Sequence, residues 1–380
     1  MSTAIYIHIP FCIRKCNYCD FYSVAFSPAL KKRYLRALLK EIDRAPAAGE
    51  INSVYIGGGT PSLLDPTEVE TIMSRIARRF NLSRDAEVSL EVNPGTVDLH
   101  KIKALRVAGV NRLSIGVQSM SPVELRLLGR IHEAADSHRA LDWASRCFDN
   151  FSVDILYGIP GQTPSEAEEG LRQVLRYGPQ HVSSYELTVE EGTPFFDMIS
   201  EGSIALPDDD DKIAMYERIG ETLEKTGYRH YEISNYARDG YRCRHNMNYW
   251  LRGEYLGFGA SAHAHIRDVR LRNAADISDY IRMMEQEGSA VVEETPLTSS
   301  DRAHEEMFLR LRTDVGLNLD RLSTARELVR RLEREGLISE TGGAVRLTEK
   351  GMLLSNRVIV ELMDALERKS ADHDRGHTQP

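Results

Sequence analysis

The sequence has 380 residues, 42% apolar and 28% charged, with 27 Gly and 14 Pro, which excludes a disordered, collagenous or low-complexity chain and leaves room for two or three domains. Its 48 Lys and Arg against 57 Asp and Glu leave a net charge of -9, a field that repels phosphate backbones and gives no electrostatic reason to expect nucleic-acid binding. No segment approaches the ~18 apolar residues of a membrane span, and the N-terminal MSTAIYIHIPFCIRKC lacks a basic segment followed by a long apolar stretch, so the expectation is a cytoplasmic chain that is not an integral membrane protein.

Six short β-branched or apolar runs come in chain order: Ala4 to Ile9, Ser53 to Gly58, Glu87 to Val92, Arg112 to Ser119, Phe151 to Gly158 and His181 to Leu187. Between them, stretches such as PALKKRYLRALLKEID and DPTEVETIMSRIARRF carry apolar residues at three- and four-residue spacings, the helical period. The alternation predicts an α/β fold on a parallel sheet, a partial parallel (β/α)6 barrel over residues 1–206. In such folds chemistry sits at the carboxyl ends of the strands, and the unusual residues of this sequence cluster just there.

After Pro207 the alternation weakens. The acidic run Asp208 to Asp211 predicts a helix N-terminus favoured by the dipole, with the helix continuing through Lys225, and a Tyr- and Gly-rich stretch follows from Gly227 to about His265. Residues 207–297 read as an extension of the barrel. From Thr298, helical patterns at SSDRAHEEMFLRLR and LSTARELVRRLEREGLI precede a hairpin pattern, GGAVRLTEKG, and a last helix. Residues 298–369 therefore predict a C-terminal α+β, winged-helix-like domain, whose mixed charge points to packing or partner binding and not to DNA. The polar residues 370–380 read as a flexible tail.

Five cysteines is an odd count, and Cys12, Cys16 and Cys19 fall within CIRKCNYC, too tight for a disulfide framework. Three thiolates on a loop after a strand can converge on one metal centre. A closed zinc site needs four protein ligands, and no clear fourth is local: Asp20 and His8 are close in sequence, whereas Cys147 lies in a helical pattern as a buried small hydrophobe. An iron–sulfur cubane held by three cysteines keeps one iron open; on spacing alone the cluster and zinc readings stay close. Gly57, Gly58, Gly59, Thr60 and Pro61 follow the second strand, where consecutive glycines admit a close approach of backbone to ligand. Glu91 ends the third strand, Gln118 the fourth, Arg130 follows in LGRIH and Asp154 sits in VDILYGIPGQT. Such rim groups suit a ribose, a carboxylate and an adenine, although each alone reads equally as a helix cap.

CxxxCxxC with Tyr18 before the last cysteine resembles the cluster loop of the radical S-adenosylmethionine superfamily, and GGGTP resembles that superfamily's glycine motif. In the superfamily the open iron chelates the amino and carboxylate groups of S-adenosylmethionine, and an electron from the cluster cleaves the sulfonium. Taken in order, the motifs are similar to those of the coproporphyrinogen III oxidase-like branch over nearly the whole chain. The resemblance implies Cys12, Cys16 and Cys19 as ligands of a [4Fe-4S] cluster, and Tyr6, Tyr18, Gly58, Gly59, Thr60, Glu91, Gln118, Arg130 and Asp154 as S-adenosylmethionine contacts. The oxidase itself carries a further cysteine two residues after the third, where this sequence has Phe21, and a long extension before the first strand, which here begins at about Ala4. CNYCDF resembles instead the heme-chaperone members of the branch.

HNMNYW, His245 to Trp250, is similar to the HNxxYW segment of those chaperones. Heme iron takes an axial imidazole and a Tyr-Trp pair offers flat apolar surface to a macrocycle, so the resemblance implies His245, Tyr249 and Trp250 as heme-binding residues. Cys243, His263 and His265 stand as alternative ligands, and a packed β-hairpin is the structural reading of the same motif. The implied function is a heme chaperone that passes heme to apo-hemoproteins, with a [4Fe-4S] cluster, S-adenosylmethionine and heme as its cofactors. Productive cleavage of S-adenosylmethionine, the electron donor, peripheral membrane association and a homodimer stay open. Two functions compete: a coproporphyrinogen III dehydrogenase acting on propionate side chains through a 5′-deoxyadenosyl radical, and a zinc-loop nucleic-acid-binding protein.

Overall fold

The computed structural model describes residues 2–376. In chain order the first elements are β1 (Ser2–Ile9), the short β2 (Phe11–Cys12) and β3 (Val24–Ala25), α1 (Pro28–Arg44), β4 (Glu50–Gly58), α2 (Pro66–Arg79), β5 (Leu82–Val92), α3 (Leu99–Val107) and β6 (Arg112–Gln118). They continue with α4 (Pro122–Leu127), α5 (Ala134–Cys147), β7 (Phe151–Tyr157), α6 (Pro164–Leu175) and β8 (His181–Glu186). All six expected strands form, and β1, β4, β5, β6, β7 and β8 lie side by side in that order, each parallel to the next. Several helices open on one signal: α1, α2, α4 and α6 start at a proline preceded by Ser27, Asp65, Ser121 and Thr163 respectively, where a short polar side chain caps the first turn and the proline ring presets its φ.

The strands alternate with period two. Ile5, Ile7 and Ile9, then Val54 and Ile56, Val88, Leu90 and Val92, Leu113, Ile115 and Val117, and Phe151 and Val153 are buried in the core shared with the helices. The intervening residues form a polar interior: Tyr6 and His8 hydrogen-bond each other, Tyr55 reaches Glu91, Arg112 reaches Ser89, and Ser114 joins Ser152 and Asp154. The chain thus presents apolar side chains to the helices and chemistry to the barrel interior from the same strands.

The extension begins with α7 (Pro194–Ser200), α8 (Asp209–Lys225), β9 (Arg229–Glu232), β10 (Asn235–Ala237) and α9 (Arg244–Trp250). It ends with β11 (Glu254–Phe258), β12 (His263–Ile266), β13 (Val269–Asn273), α10 (Ile277–Gln286) and β14 (Val291–Pro296). The helix expected from the acidic run forms, with Asp208 as its N-cap. A seventh parallel strand is new: β11 pairs with the free edge of β1, and β12, β13 and β14 follow it antiparallel. Its glycines weakened the strand signal in the sequence, yet Gly257 is obligatory, because a Cβ there would run into the carbonyl of His263.

Contacts divide the chain into two units. The first runs through Arg229 and includes Ser234–His245 and Gly253–Pro296; the second comprises His230–Ile233, Asn246–Arg252 and the chain from Leu297. The barrel unit therefore continues past residue 207: Met215, Ile219 and Leu223 of α8 are buried in its core. The second unit holds α11 (Ser299–Arg310), β15 (Leu317–Asn318), α12 (Arg326–Arg334), β16 (Ile338–Thr341), β17 (Ala344–Leu347), α13 (Glu349–Leu353) and α14 (Ser355–Gly376). β16 and β17 form the expected hairpin and β15 adds a third antiparallel strand. Of the expected tail 370–380, the part to Gly376 continues α14, since each added residue of a nucleated helix gains a backbone hydrogen bond, and the rest lies outside the described residues. No helix among the described residues is long and apolar enough to cross a membrane.

Glu41 of α1 ties the helix to the added strands. Its carboxylate accepts from the Gly259 N–H at 2.8 Å, Asn273 Nδ2 at 2.7 Å and the Tyr280 hydroxyl at 2.6 Å. Burial pushes its carboxyl up from 4.5 to about 7 despite these donors. A carboxyl raised in the folded state binds more protons than in the unfolded chain, so its contribution is most favourable below about 4.5, declines as pH rises to about 7 and is level above. Thermal unfolding of wild type and Glu41→Gln across that range measures it: the wild-type midpoint should fall relative to the variant, and parallel curves would contradict the assignment.

Candidate cluster and cofactor site

The parallel strands bring Ile9, Gly58, Val92 and Gln118 to one end of the barrel, and the cysteine loop leaves β1 there. Its ends are closed by pairing of Phe11 with Val24 and Cys12 with Ala25. The loop is then pinned across the barrel mouth. Arg14 donates to the carbonyls of Gly129 and Arg130 at 3.2 and 2.6 Å, Asn17 donates through its backbone N–H to Leu128 at 3.0 Å and through Nδ2 to Leu127 at 2.8 Å, and the Asn17 carbonyl accepts from Phe195 N–H at 2.9 Å. Neither Arg14 nor Asn17 stood out in the sequence, because their partners are more than a hundred residues away.

The glycine motif serves this loop. The Gly59 N–H donates to Ile9 at 2.9 Å, and a Cβ on Gly59 would lie 2.8 Å from the Phe11 carbonyl oxygen and 3.1 Å from Cys12 Sγ. Gly58 has φ +117, and a Cβ there would meet the His8 ring at 2.8 Å. What comes close to these glycines is the chain's own cysteine loop and the end of β1, so their smallness is needed before any ligand arrives.

The Thr60 hydroxyl donates to Cys12 Sγ at 3.5 Å and Arg130 NH1 donates to Cys16 Sγ at 3.4 Å. Burial pushes the Cys19 thiol up to about 11, and Cys16 and Cys12 add to the rise, so the three sulfurs are near enough to resist ionising together. A cationic centre reverses that penalty, and the donor set fits one. Among the described residues no three His, Cys, Asp or Glu side chains close around a single ion. A cubane, which gives each thiolate a different iron, accommodates more widely spread sulfurs than a mononuclear site does. Tyr18 is half-buried, its ring 6.5 Å from that of Phe195; burial raises its phenol and the Arg130 guanidinium counters this.

Beside the loop stand two buried carboxyls. Glu91 accepts from the Gly58 N–H and the Tyr55 hydroxyl, each at 3.0 Å, while Asp154 accepts from Ser114 at 3.1 Å. Burial, and then the charge of Asp154, pushes Glu91 up to about 7; burial also raises Asp154 above the usual carboxylate range. Near neutral pH the pair can therefore hold a proton and present both a donor and acceptors to a hydroxylated ligand. Gln118 sits at φ 66, a left-handed backbone that costs a non-glycine residue energy and turns the end of β6 toward Arg130, whose NH2 donates to Gly116 at 2.7 Å. The structure thus gathers Thr60, Arg130, Tyr18 and the cysteines into one group and Gly58, Glu91 and Asp154 into another, with Tyr6 one layer deeper, its ring stacked 6.4 Å from Tyr55.

HNMNYW is a helix, α9, and not a hairpin. His245 lies in the barrel interior, 1% exposed, toward the amino ends of the strands and opposite the cysteine loop. Its Nδ1 is 3.1 Å from the Ser53 hydroxyl, its N–H donates to Glu87 at 3.2 Å, and its ring stacks on Tyr55 with centroids 5.1 Å apart. Burial, with the Arg112 charge adding, pushes the imidazole down to about 3, so it is neutral. In this conformation the ring is closed to a macrocycle. Cys243 is also buried, donating to Glu87 at 3.4 Å, and His265 is buried with Nδ1 3.2 Å from the Gly253 carbonyl, whereas His263 is exposed. Tyr249 and Trp250 are half-buried and belong to the second unit.

The family model for the Radical SAM superfamily matches residues 6–174, and that for the HemN C-terminal domain matches residues 297–354. The chain is 35% identical to "Heme chaperone HemW" of Bacillus subtilis over 93% of this chain and 97% of that protein. It is 42% identical to the protein of the same description from Escherichia coli over 69% and 70% of the two chains, and 34% identical to that of Mycobacterium tuberculosis strain H37Rv over 94% of each. Among solved structures it is similar to the coproporphyrinogen III oxidase HemN of Escherichia coli, described as a radical SAM enzyme, with a TM-score of 0.80, 26% identity, and coverage of 96% of this chain and 90% of that one.

Proposed function

Because the chain belongs to the radical S-adenosylmethionine superfamily, and within it to the HemW family of heme chaperones, we propose that it binds heme and passes it to apo-hemoproteins, carrying a [4Fe-4S] cluster on Cys12, Cys16 and Cys19. The observation that carries the reading is the pairing, in one barrel unit, of a three-thiol loop with the start of the HNMNYW helix, with Phe21 standing where the oxidase has its extra cysteine. A bound cluster supplies an electron and one open iron to the amino and carboxylate groups of S-adenosylmethionine. Around it the chain's residues have separate tasks. Thr60 and Arg130 donate to the sulfurs of Cys12 and Cys16 and stabilise their negative charge. Glu91 and Asp154 hold ribose hydroxyls, Gln118 and Tyr18 border the adenine and amino-acid ends, and Tyr6 supports this floor from below.

Heme is taken at HNMNYW. Tyr249 and Trp250 cover the macrocycle, and His245 ligates the iron after the seven-residue α9 loosens from Ser53 and Glu87. An isolated helix of two turns is marginal, so its opening costs little beyond these hydrogen bonds.

The fold shared with HemN keeps coproporphyrinogen oxidation as the second reading. Anaerobic incubation of the reconstituted chain with S-adenosylmethionine, a low-potential reductant and coproporphyrinogen III separates the two. The expected result is no protoporphyrinogen, with heme bound in about equimolar amount by the same sample; catalytic formation of protoporphyrinogen would replace the chaperone with the enzyme.

A further inference from the structure

The second unit contains a cavity of about 420 Å³ that the cluster and cofactor site does not use. Four guanidinium side chains, Arg252, Arg302, Arg310 and Arg321, line it together with Leu251 and Glu306. The carboxylates recorded against these arginines are fewer. Arg252 Nε reaches Glu305 at 2.9 Å, while Glu306 is shared between Arg310 at 3.3 Å and Arg321 at 3.0 Å. Arg310 Nε is shut off from water and faces Glu306 without hydrogen-bond geometry. One concave site therefore concentrates four fixed positive charges against two negative ones, on a chain whose overall charge is -9. Like charges this close disfavour one another, and the planar forks of arginine match the two oxygens of a carboxylate, so the cavity is organised for an oxyanion brought from outside.

We propose that this cavity binds the propionate carboxylates of heme. The proposal rests on the heme-chaperone reading and adds to it the place where the acidic edge of the macrocycle is held. Leu251 and Arg252 directly follow Tyr249 and Trp250 in sequence, so the aromatic end of the HNMNYW helix leads into the cavity wall. A flat apolar face beside paired carboxylates is the chemistry of a porphyrin edge. A nucleic-acid backbone presents a line of phosphates and calls for a basic stripe, which a single pocket on an acidic chain does not provide.

The test compares heme with its dimethyl ester, which keeps the iron and macrocycle but lacks both carboxylates, by Soret titration of the full-length wild-type chain. The ester should bind about tenfold more weakly, the effect of one lost charge-assisted hydrogen bond. Arg302→Gln combined with Arg321→Gln should weaken heme to ester-like affinity and leave the ester unchanged. Equal affinities of wild type for heme and ester would overturn the proposal without touching the chaperone reading. Citrate is the second probe: it should raise the thermal midpoint of wild type and not of the double variant. If heme fails to bind while citrate still stabilises wild type alone, the oxyanion site stands and the assignment to propionates falls with the chaperone reading; if citrate has no effect and heme does not bind, both fall.

Discussion

Alanine at Cys12, Cys16 and Cys19 together should leave anaerobically reconstituted protein with no iron–sulfur absorbance while changing its folding stability by no more than about 1 kcal/mol. The thiols are half-buried, and their recorded side-chain partners are the Thr60 hydroxyl and the Arg130 guanidinium. The loop is held by other groups: Phe11 is fully buried, Arg14 and Asn17 are tied to residues 127–130, and Phe195 N–H bonds the Asn17 carbonyl. Losing the sulfurs removes a cluster without removing an anchor. The guanidinium of Arg130 keeps its bond to Gly116, which limits the cost of leaving it beside alanine. Residual cluster absorbance would refute the ligand assignment, and a chain that no longer folds would make the loop a structural metal site instead.

His245→Ala should weaken heme binding and shift the Soret band, leave cluster absorbance intact, and lower stability by about 3 kcal/mol, the scale for deleting a buried ring together with its hydrogen bond. The ring is enclosed against Tyr55 and Ser53, so the stability loss follows from burial alone. The heme effect is the separate and decisive part. Cluster and imidazole lie toward opposite ends of the barrel interior, which is why one should survive loss of the other. His263→Ala is the control, since that exposed imidazole lies on β12. Should His245→Ala bind heme with an unchanged spectrum while His263→Ala does not, the ligand is His263 and α9 has a purely structural role. Ser53→Ala gives a kinetic check: by releasing Nδ1 it should speed heme uptake, because the competent conformation is then populated more often.

Much of this was legible because the strands write both of their faces into the sequence. IYIHI, VSLEV and RLSIGVQ alternate apolar and polar residues, and the structure turns the first set to the helices and the second to the interior. The Ser-Pro, Asp-Pro and Thr-Pro pairs that open the helices are equally local. β11 was not legible, because its glycines answer a clash with β12 that exists only after folding. Arg14 and Asn17 escaped for the same reason: their role depends on the Leu127–Arg130 turn, and nothing in CIRKCN announces it. The glycine motif was located correctly, but the groups it makes room for include the protein's own Phe11, Cys12 and His8. His245 was singled out by its motif, while Ser53 and Glu87, which enclose it, carry no local signal.

Heme transfer tests the central claim most directly. Heme-loaded, cluster-reconstituted chain is mixed anaerobically with an apo-hemoprotein, and the Soret bands of donor and acceptor are followed with and without S-adenosylmethionine. The account predicts that the acceptor's holo spectrum appears as the donor's band declines, faster than heme leaves the donor to a passive scavenger such as apomyoglobin, and that His245→Ala abolishes the difference. A chain that binds no heme, or releases it to every acceptor at one common rate, would contradict the chaperone assignment.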